Sequence, residues 1–405
     1  MPKKLLSLNT YHYRRGGSEA VFFEHNTMFE QLGWEVAPFA QHHPLNDPSP
    51  WSEYFSDEME FSEAKGIKDK IHMAGKFIYS WEARNKLEKM LDKFSPDIAH
   101  GHLLYHHLSP SVMSLLHKRG VPTVMTAHDL KLACPAYTML SPKGVCEQCK
   151  GGNLSNVIKN RCMGGLVQST LVALESTTHR MFGLWKNNLD MVVAPSQFYL
   201  EKLVEWGWPR DKIIYIANYI KPDEFQPQFE PGKYFLYFGR LANQKGVTTL
   251  IRAALESNIP LKIAGTGPQE DELKQLAKEA GNIEFLGHRS GADLHQLIRE
   301  ARAVVLPSEW YENAPISLLE ALASGKPIIG ADIGGIPEMV KEGETGWLFP
   351  SGNSDALAKI LETANTTPAS RFEAMGRQGR DFVVERFTAD NYKNKMQDLY
   401  QALMK

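Results

Sequence analysis

A chain of 405 residues is too long for one ordinary core, and two domains of about 200 residues each are expected. Hydrophobic content of 43% with 23% charged residues argues against a disordered chain. The net charge of -2, from 45 basic and 47 acidic residues spread along the chain, excludes the one-sided basic face of a nucleic-acid binder, so an anionic ligand must be met by a few placed cations.

The opening run Leu5, Leu6, Ser7, Leu8 is too short for the apolar region of a signal peptide. No stretch reaches the ~18 apolar residues needed to cross a bilayer, so the expected location is cytoplasmic. A basic, aromatic-bearing segment, Ile67 to Phe94, offers a surface for peripheral contact at the inner face of a membrane. The plainer reading of that segment is a helix with a solvated face.

Short apolar β-rich runs alternate with helical patterns in two series, which predicts an α/β chain with parallel sheets covered by helices. The first series places strands at Lys4 to Leu8, Glu35 to Ala40, Asp97 to His100, Thr123 to Ala127, Met191 to Ala194 and Ile213 to Ile216. The second places them at Tyr234 to Phe238, Leu261 to Ala264, Ile283 to Leu286, Ala303 to Leu306, Pro327 to Gly330 and Gly346 to Phe349. Between the series, Lys221 to Gly232 holds three prolines and one glycine and reads as a linker. The expected domains are therefore 1–217, carrying a cysteine-rich insertion at 131–165, a linker at 218–232, and a second domain at 233–371. A helical segment, 372–405, completes the chain.

Ligands of such sheets bind beyond the carboxyl ends of the strands, so the residues there carry the functional reading. In the first domain these are Arg15-Gly16-Gly17-Ser18-Glu19, the histidines His100, His102, His106 and His107, and His128-Asp129. The histidine group lacks a carboxylate at ligand spacing and does not read as a catalytic metal site; some of it is expected to line the acceptor side. In the second domain, Gly239 to Gly246 places Arg240 and Lys245 five positions apart around a turn. A planar fork beside a point charge suits a pyrophosphate whose leaving charge must be stabilised. Farther on, Glu312 and Glu320 stand eight positions apart around a helix start expected near Pro315, whose free amides attract an anion or sugar hydroxyls.

In combination, Gly239-Arg240 with Lys245-Gly246, the Glu-x7-Glu of Glu312 and Glu320 running into Ala321 to Pro327, and Gly334-Gly335-Ile336-Pro337-Glu338 resemble the retaining glycosyltransferases of family 4, also called glycosyl transferases group 1. The resemblance covers nearly the whole chain. It implies the GT-B fold, two Rossmann-like domains with parallel sheets facing an interdomain cleft, with the 372–405 segment returning to the first domain. It implies that Arg240 and Lys245 hold the diphosphate of a nucleotide-sugar donor without a metal. By the same resemblance Glu312 contacts the transferred sugar, helped by backbone amides around Asn313, Ala314, Pro315 and Ile316, and Glu320 binds the ribose hydroxyls. Gly16 and Gly17 approach the phosphates, Gly265, His288 and Arg289 line the nucleotide pocket, and His128 lies near the reaction centre. The catalytic set is then Glu312, His128, Arg240 and Lys245, and the acceptor is a glycan, a lipid-linked glycan or an envelope polysaccharide.

The chain has no Asp-x-Asp metal motif, consistent with cations replacing a divalent ion, so no cofactor is expected for catalysis. Gly265-x-Gly267 lacks the third glycine of a dinucleotide fingerprint, which weakens a dehydrogenase reading. A sugar-nucleotide epimerase or phosphorylase on the same fold, and a non-catalytic nucleotide-sugar binder, are the competing readings. Finally, all four cysteines, Cys134, Cys146, Cys149 and Cys162, fall within 29 residues around one Cys-x2-Cys. In a chain read as cytosolic this favours a structural zinc over disulfides. With little apolar periodicity of its own, the insertion is expected to owe its order to that metal.

Overall fold

The computed structural model describes residues 2–58 and 67–404, with side chains from 73 onward in the second stretch. Its strands are β1 (Lys4–Leu8), β2 (Glu35–Phe39), β3 (Ile98–Gly101), β4 (Thr123–Thr126), β5 (Leu140–Ser141), β6 (Gly144–Val145), β7 (Met191–Ala194), β8 (Ile213–Tyr215), β9 (Phe235–Phe238), β10 (Leu261–Ala264), β11 (Ile283–Gly287), β12 (Val304–Leu306), β13 (Ile328–Ala331) and β14 (Gly346–Phe349). Two units result: Met1–Pro195 with Tyr199–Ile216 and Lys393–Lys405, and Ser196–Phe198 with Ala217–Tyr392.

The first unit holds one parallel sheet in the order β2-β1-β3-β4-β7-β8, and the second a parallel sheet in the order β11-β10-β9-β12-β13-β14. Every residue of β3, β4, β9, β12 and β13 is buried. Continuous apolar runs such as Phe235-Leu236-Tyr237-Phe238 therefore replace the alternation of a half-exposed strand, because helices cover both faces. The strand order reverses between β1 and β3 in the first unit and between β9 and β12 in the second. These are the points where helices leave opposite faces and open a crevice at the strand ends.

The helix Ala369–Arg386 belongs to the second unit, where Gly379 lies against Leu322 of the helix Ile316–Ala323. Arg380 fastens it by donating to the carbonyls of Ala323 and Phe225. The segment that joins the first unit thus begins at Lys393 rather than Phe372, because apolar burial of Phe372, Met375 and Val383 commits the preceding helix to the second core. The final helix, Ala389–Leu403, carries Tyr400 into the first core, fully buried against Phe29 and Trp34. No helix among the described residues is long and apolar enough to cross a membrane.

The insertion departs from expectation in one respect. It has an apolar cluster of its own, in which Cys149, Leu154 and Val157 pack with Phe77, Val172 and Ala173. It is also pinned by polar bonds: the Trp208 ring N–H donates to Leu132 O at 3.0 Å and Arg180 to Ala133 O at 2.5 Å. Beneath it Lys131 Nζ meets Glu175 Oε2 at 2.8 Å with Pro135 O as a second acceptor at 2.7 Å, and His106 Nδ1 holds the other Glu175 oxygen at 2.8 Å. Both charged side chains are buried, 4% and 0% exposed. Removing one member of such a pair strands the other. Glu175→Ala is expected to cost about 3–5 kcal/mol, read as a lower urea midpoint, whereas replacing both with apolar residues of similar size, Lys131→Met with Glu175→Leu, recovers most of it. Equal losses in the single and double variants would contradict this account.

Candidate functional site

At the carboxyl ends of β9, β10 and β11, in the second unit, a cavity of about 470 Å³ is bounded by Gly239, Arg240, Gly265, Gly267, His288 and Arg289. Its floor is backbone. Gly265 has φ +150°, and a Cβ there would stand 1.8 Å from Gly239 O, so two strand-end loops cross at a distance only glycine permits. Arg240, His288 and Arg289 are exposed around this floor, and the Tyr237 hydroxyl fixes the loop by donating to Arg240 O at 2.9 Å. Gly265, His288, Arg289 and Arg240 are thus brought together in one concave, cation-rimmed site.

Lys245 and Glu312 meet beside the reversal point between β9 and β12. Lys245 Nζ contacts Glu312 Oε1 at 2.7 Å and lies 5.0 Å from the centre of the Trp310 ring. Ser308 donates to the same carboxylate oxygen at 2.6 Å. Glu312 is itself only 6% exposed, and this desolvation gives its two charge-assisted bonds their strength. Gly335 donates its N–H to Glu312 O at 2.8 Å, and a Cβ on Gly335 would fall 1.9 Å from Asn313 O. The Gly334-Gly335 turn is therefore the surface on which Glu312 and Asn313 are shaped.

Asn313, Ala314 and Pro315 lead into the helix Ile316–Ala323, whose N-cap is Pro315. Pro315 has no side-chain acceptor to offer, so the first amides of that helix are not capped locally. Glu320 sits one turn inside, half-buried, and burial pushes its carboxyl up to about 7.

In the first unit, Gly16 is the extended N-cap of the helix Gly17–Gln31. Both glycines are exposed, and a Cβ on Gly17 would meet nothing within 4 Å. Their lack of side chains is not demanded by packing within this unit; it bares the first amides of the helix. Arg15 lies over the Tyr11 ring at 5.0 Å.

His128 follows β4, and its Nε2 pairs with His102 Nδ1 at 2.9 Å. Burial drives the His128 ring down to about 4, so it is neutral near pH 7. The remaining histidines divide by partner. His100 is fully buried between the Tyr400 hydroxyl and Thr126, His106 belongs to the Glu175 cluster, and His107 stands 5.8 Å from the Tyr11 ring. The His102–His128 pair and the Ser308–Glu312 bond are the contacts that sequence reasoning missed. The first had a readable signal, since His102 and His128 stand one and two residues past the ends of β3 and β4, which are neighbours in the sheet. The second had none, because a loop has no periodicity from which to infer facing side chains.

All four cysteines are free thiols, Cys134 and Cys149 buried and the other two half-buried. Burial is the main cause that raises Cys134, Cys162 and Cys149, the last to about 11, and their neighbouring thiols add to the shift of each. The four therefore share one neighbourhood. Among the described residues, no three His, Cys, Asp or Glu side chains are arranged to hold a metal ion.

This geometry can be set beside known proteins. Residues 15–224 match the family described as Glycosyltransferase Family 4, and residues 220–382 match the glycosyl transferases group 1. The chain belongs to glycosyltransferase family 4. An uncharacterized glycosyltransferase of Methanocaldococcus jannaschii is 30% identical over 65% of this chain and 71% of its own length. A putative colanic acid biosynthesis glycosyltransferase of Escherichia coli is 25% identical over 53% of this chain, a match spanning 57% of that protein. The Anabaena protein HepE, solved in complex with UDP, superimposes with a TM-score of 0.67 at 18% identity, covering 99% of this chain and 100% of its own. This family 4 glycosyltransferase has the GT-B fold.

Glu320 gives a test by pH. Its folded-state pKa lies above the ordinary 4.5, so the folded chain holds the proton more tightly than the unfolded chain does. Its contribution is complete below about 4.5 and is lost as pH rises through about 7. Glu320→Gln removes that loss. Relative to wild type the variant should gain on the order of 2 kcal/mol between pH 4 and pH 8, measured by urea unfolding at both. A stability difference independent of pH would contradict the burial argument.

Proposed function

We propose that this enzyme transfers a sugar, with retention of configuration, from a nucleotide-diphosphate sugar to a glycan, lipid-linked or envelope-polysaccharide acceptor, without a metal at the donor phosphates. The observation that carries the reading is the cavity in which Arg240 and Arg289 rim a glycine backbone floor, beside the Lys245–Glu312 pair. A diphosphate needs cations and room to approach the backbone closely, and the exposed Arg240 and Arg289 above a floor without side chains offer both. UDP bound to HepE supports a nucleotide donor, and the colanic acid relative supports a polysaccharide-type acceptor.

In this reading Arg240 and Lys245 stabilise the charge that grows on the departing phosphate, and the reaction proceeds through an oxocarbenium-like state with the leaving oxygen taking the acceptor's proton. Catalysis is then mainly positioning and electrostatics. Arriving diphosphate competes with Glu312 for Lys245 Nζ, which frees carboxylate capacity of Glu312 for the hydroxyls of the transferred sugar. Ser308 keeps Glu312 in place during that exchange. Glu320 takes the ribose hydroxyls, Gly16 and Gly17 offer amides to the phosphates, and His128 steadies the reacting centre.

Arg240→Ala and Lys245→Ala are each expected to lower kcat by about two to four orders of magnitude, the range for losing a transition-state charge stabiliser. EDTA should leave the wild-type rate unchanged, and the product's anomeric proton coupling in NMR should match the donor's. Near-normal rates in both variants, or an inverted product, would overturn the assignment.

We further propose that Cys134, Cys146, Cys149 and Cys162 take up one structural zinc. As placed they form no coordination shell, so binding would draw them together and release thiol protons, including those that burial holds on Cys134, Cys149 and Cys162. Crowding of all four in one neighbourhood is the support. Protein purified without added metal should contain near-stoichiometric zinc, and Cys146→Ser with Cys149→Ser should release it and raise protease cleavage between Leu132 and Gly165. Metal-free protein that resists protease over this stretch would refute it.

A further inference from the structure

The first unit contains a stack of imidazoles whose hydrogen bonds can be followed atom by atom. His100 and His102 lie face to face, 4.7 Å between centres at 12°, and His102 and His128 continue the stack at 5.1 Å and 21°. The rings of Phe22 and His25 close on His102 edge-on, at 5.5 and 5.7 Å. Both nitrogens of His100 are satisfied, Nδ1 by the Tyr400 hydroxyl and Nε2 by Thr126 Oγ1 at 2.8 Å. His102 is different. It is fully buried, Nδ1 meets His128 Nε2 at 2.9 Å, and its own Nε2 is buried without a hydrogen-bond partner.

That orphaned nitrogen decides who donates. Burial keeps both rings of the pair neutral near pH 7, so each has one proton. If His128 donated from Nε2, His102 would have to accept on Nδ1 and carry its proton on Nε2, leaving an N–H donor buried with nothing to accept it. If His102 donates from Nδ1, its Nε2 is a bare lone pair. A buried unpaired N–H is rarer in folded proteins than an under-satisfied acceptor, and its desolvation is not recovered elsewhere. The second arrangement is therefore the stable one.

We propose that His102 is a positioning residue that fixes the tautomer of His128, engaging the His128 Nε2 lone pair and holding the His128 proton on Nδ1. With its Nε2 lone pair engaged by His102, His128 is held out of a general-base role through that nitrogen. Its role at the reacting centre rests on the glycosyl-transfer reading above; the tautomer does not. An imidazole that only donates agrees with a mechanism in which the leaving phosphate takes the acceptor's proton.

The test uses the full chain labelled with ¹⁵N-histidine, with two-bond ¹H–¹⁵N correlation spectra at pH 7.5 and His128 assigned by substitution. Wild type should show His128 protonated at Nδ1 and bare at Nε2. His102→Leu removes the donor, so the His128 proton should move wholly or partly to Nε2, and kcat should fall about ten- to a hundredfold, the range for losing an outer partner that orients a functional imidazole. His102→Asn places an amide donor near the old Nδ1 and should restore both the spectrum and most of kcat. His128 protonated at Nε2 in wild type, or an Nδ1-protonated His128 that persists in His102→Leu, would overturn the proposal. The expected spectra without sugar transfer from any nucleotide-sugar would instead sink the reading of function and leave the tautomer standing.

Discussion

Parallel sheets buried on both faces confine polar chemistry to the ends of their strands. Within the strands, β3, β4, β9, β12 and β13 have no exposed residue, and a charge placed there would have no solvent and no partner. Just past the ends the ladder closes with one further amide, as at Gly239 and Gly265, and loops and helix starts follow. Arg240, Gly265 and His288 all stand within two residues of a strand end, and so do His102 and His128. Each sheet therefore determines where a site can exist before any side chain determines what it binds.

The two units use that opportunity differently. In the second, exposed cations surround a backbone floor, and the buried carboxylate Glu312 is stabilised by Lys245 and Ser308. These two partners offset the cost of burying it. In the first unit the buried ion pair, Lys131–Glu175, lies at the base of the insertion. Burial acts instead on histidines, and without carboxylate partners it drives His25 to about 3 and His128 to about 4. One cluster is built from compensated charge and the other from buried neutral rings.

Much of this was legible from residue order. The runs expected at Lys4 to Leu8, Met191 to Ala194, Leu261 to Ala264 and Gly346 to Phe349 are strands with those same bounds, because a buried parallel strand is a short apolar run between breakers and has few other ways to fold. The helix start at Pro315 was legible for a similar local reason. What escaped was contact between segments far apart in sequence. Nothing local to Lys245 names Glu312 as its partner 67 residues away, and the burial of Phe372 and Val383 against the second core depends on a groove beside the helix Ile316–Ala323 that sequence does not display. The insertion read as apolar-poor because its buried residues, Leu132, Met139, Leu154 and Val157, are spaced irregularly; turns and short helices bring them inward without a repeating period.

That insertion also bears on His128 through the chain itself. Asp129 accepts the Lys131 amide at 2.9 Å and caps the short helix Leu130–Leu132, and Lys131 then descends to the buried carboxylate of Glu175. The residue after His128 is thereby tied to a helix start, and the one three positions on to an ion pair at the base of the insertion. On its other side His128 is held by His102, whose strand β3 is registered against β4. The imidazole is thus constrained from two directions, by sheet register and by the insertion's anchor. A disturbance of the insertion's anchor at Lys131 reaches the ring through only two intervening residues, Asp129 and Leu130.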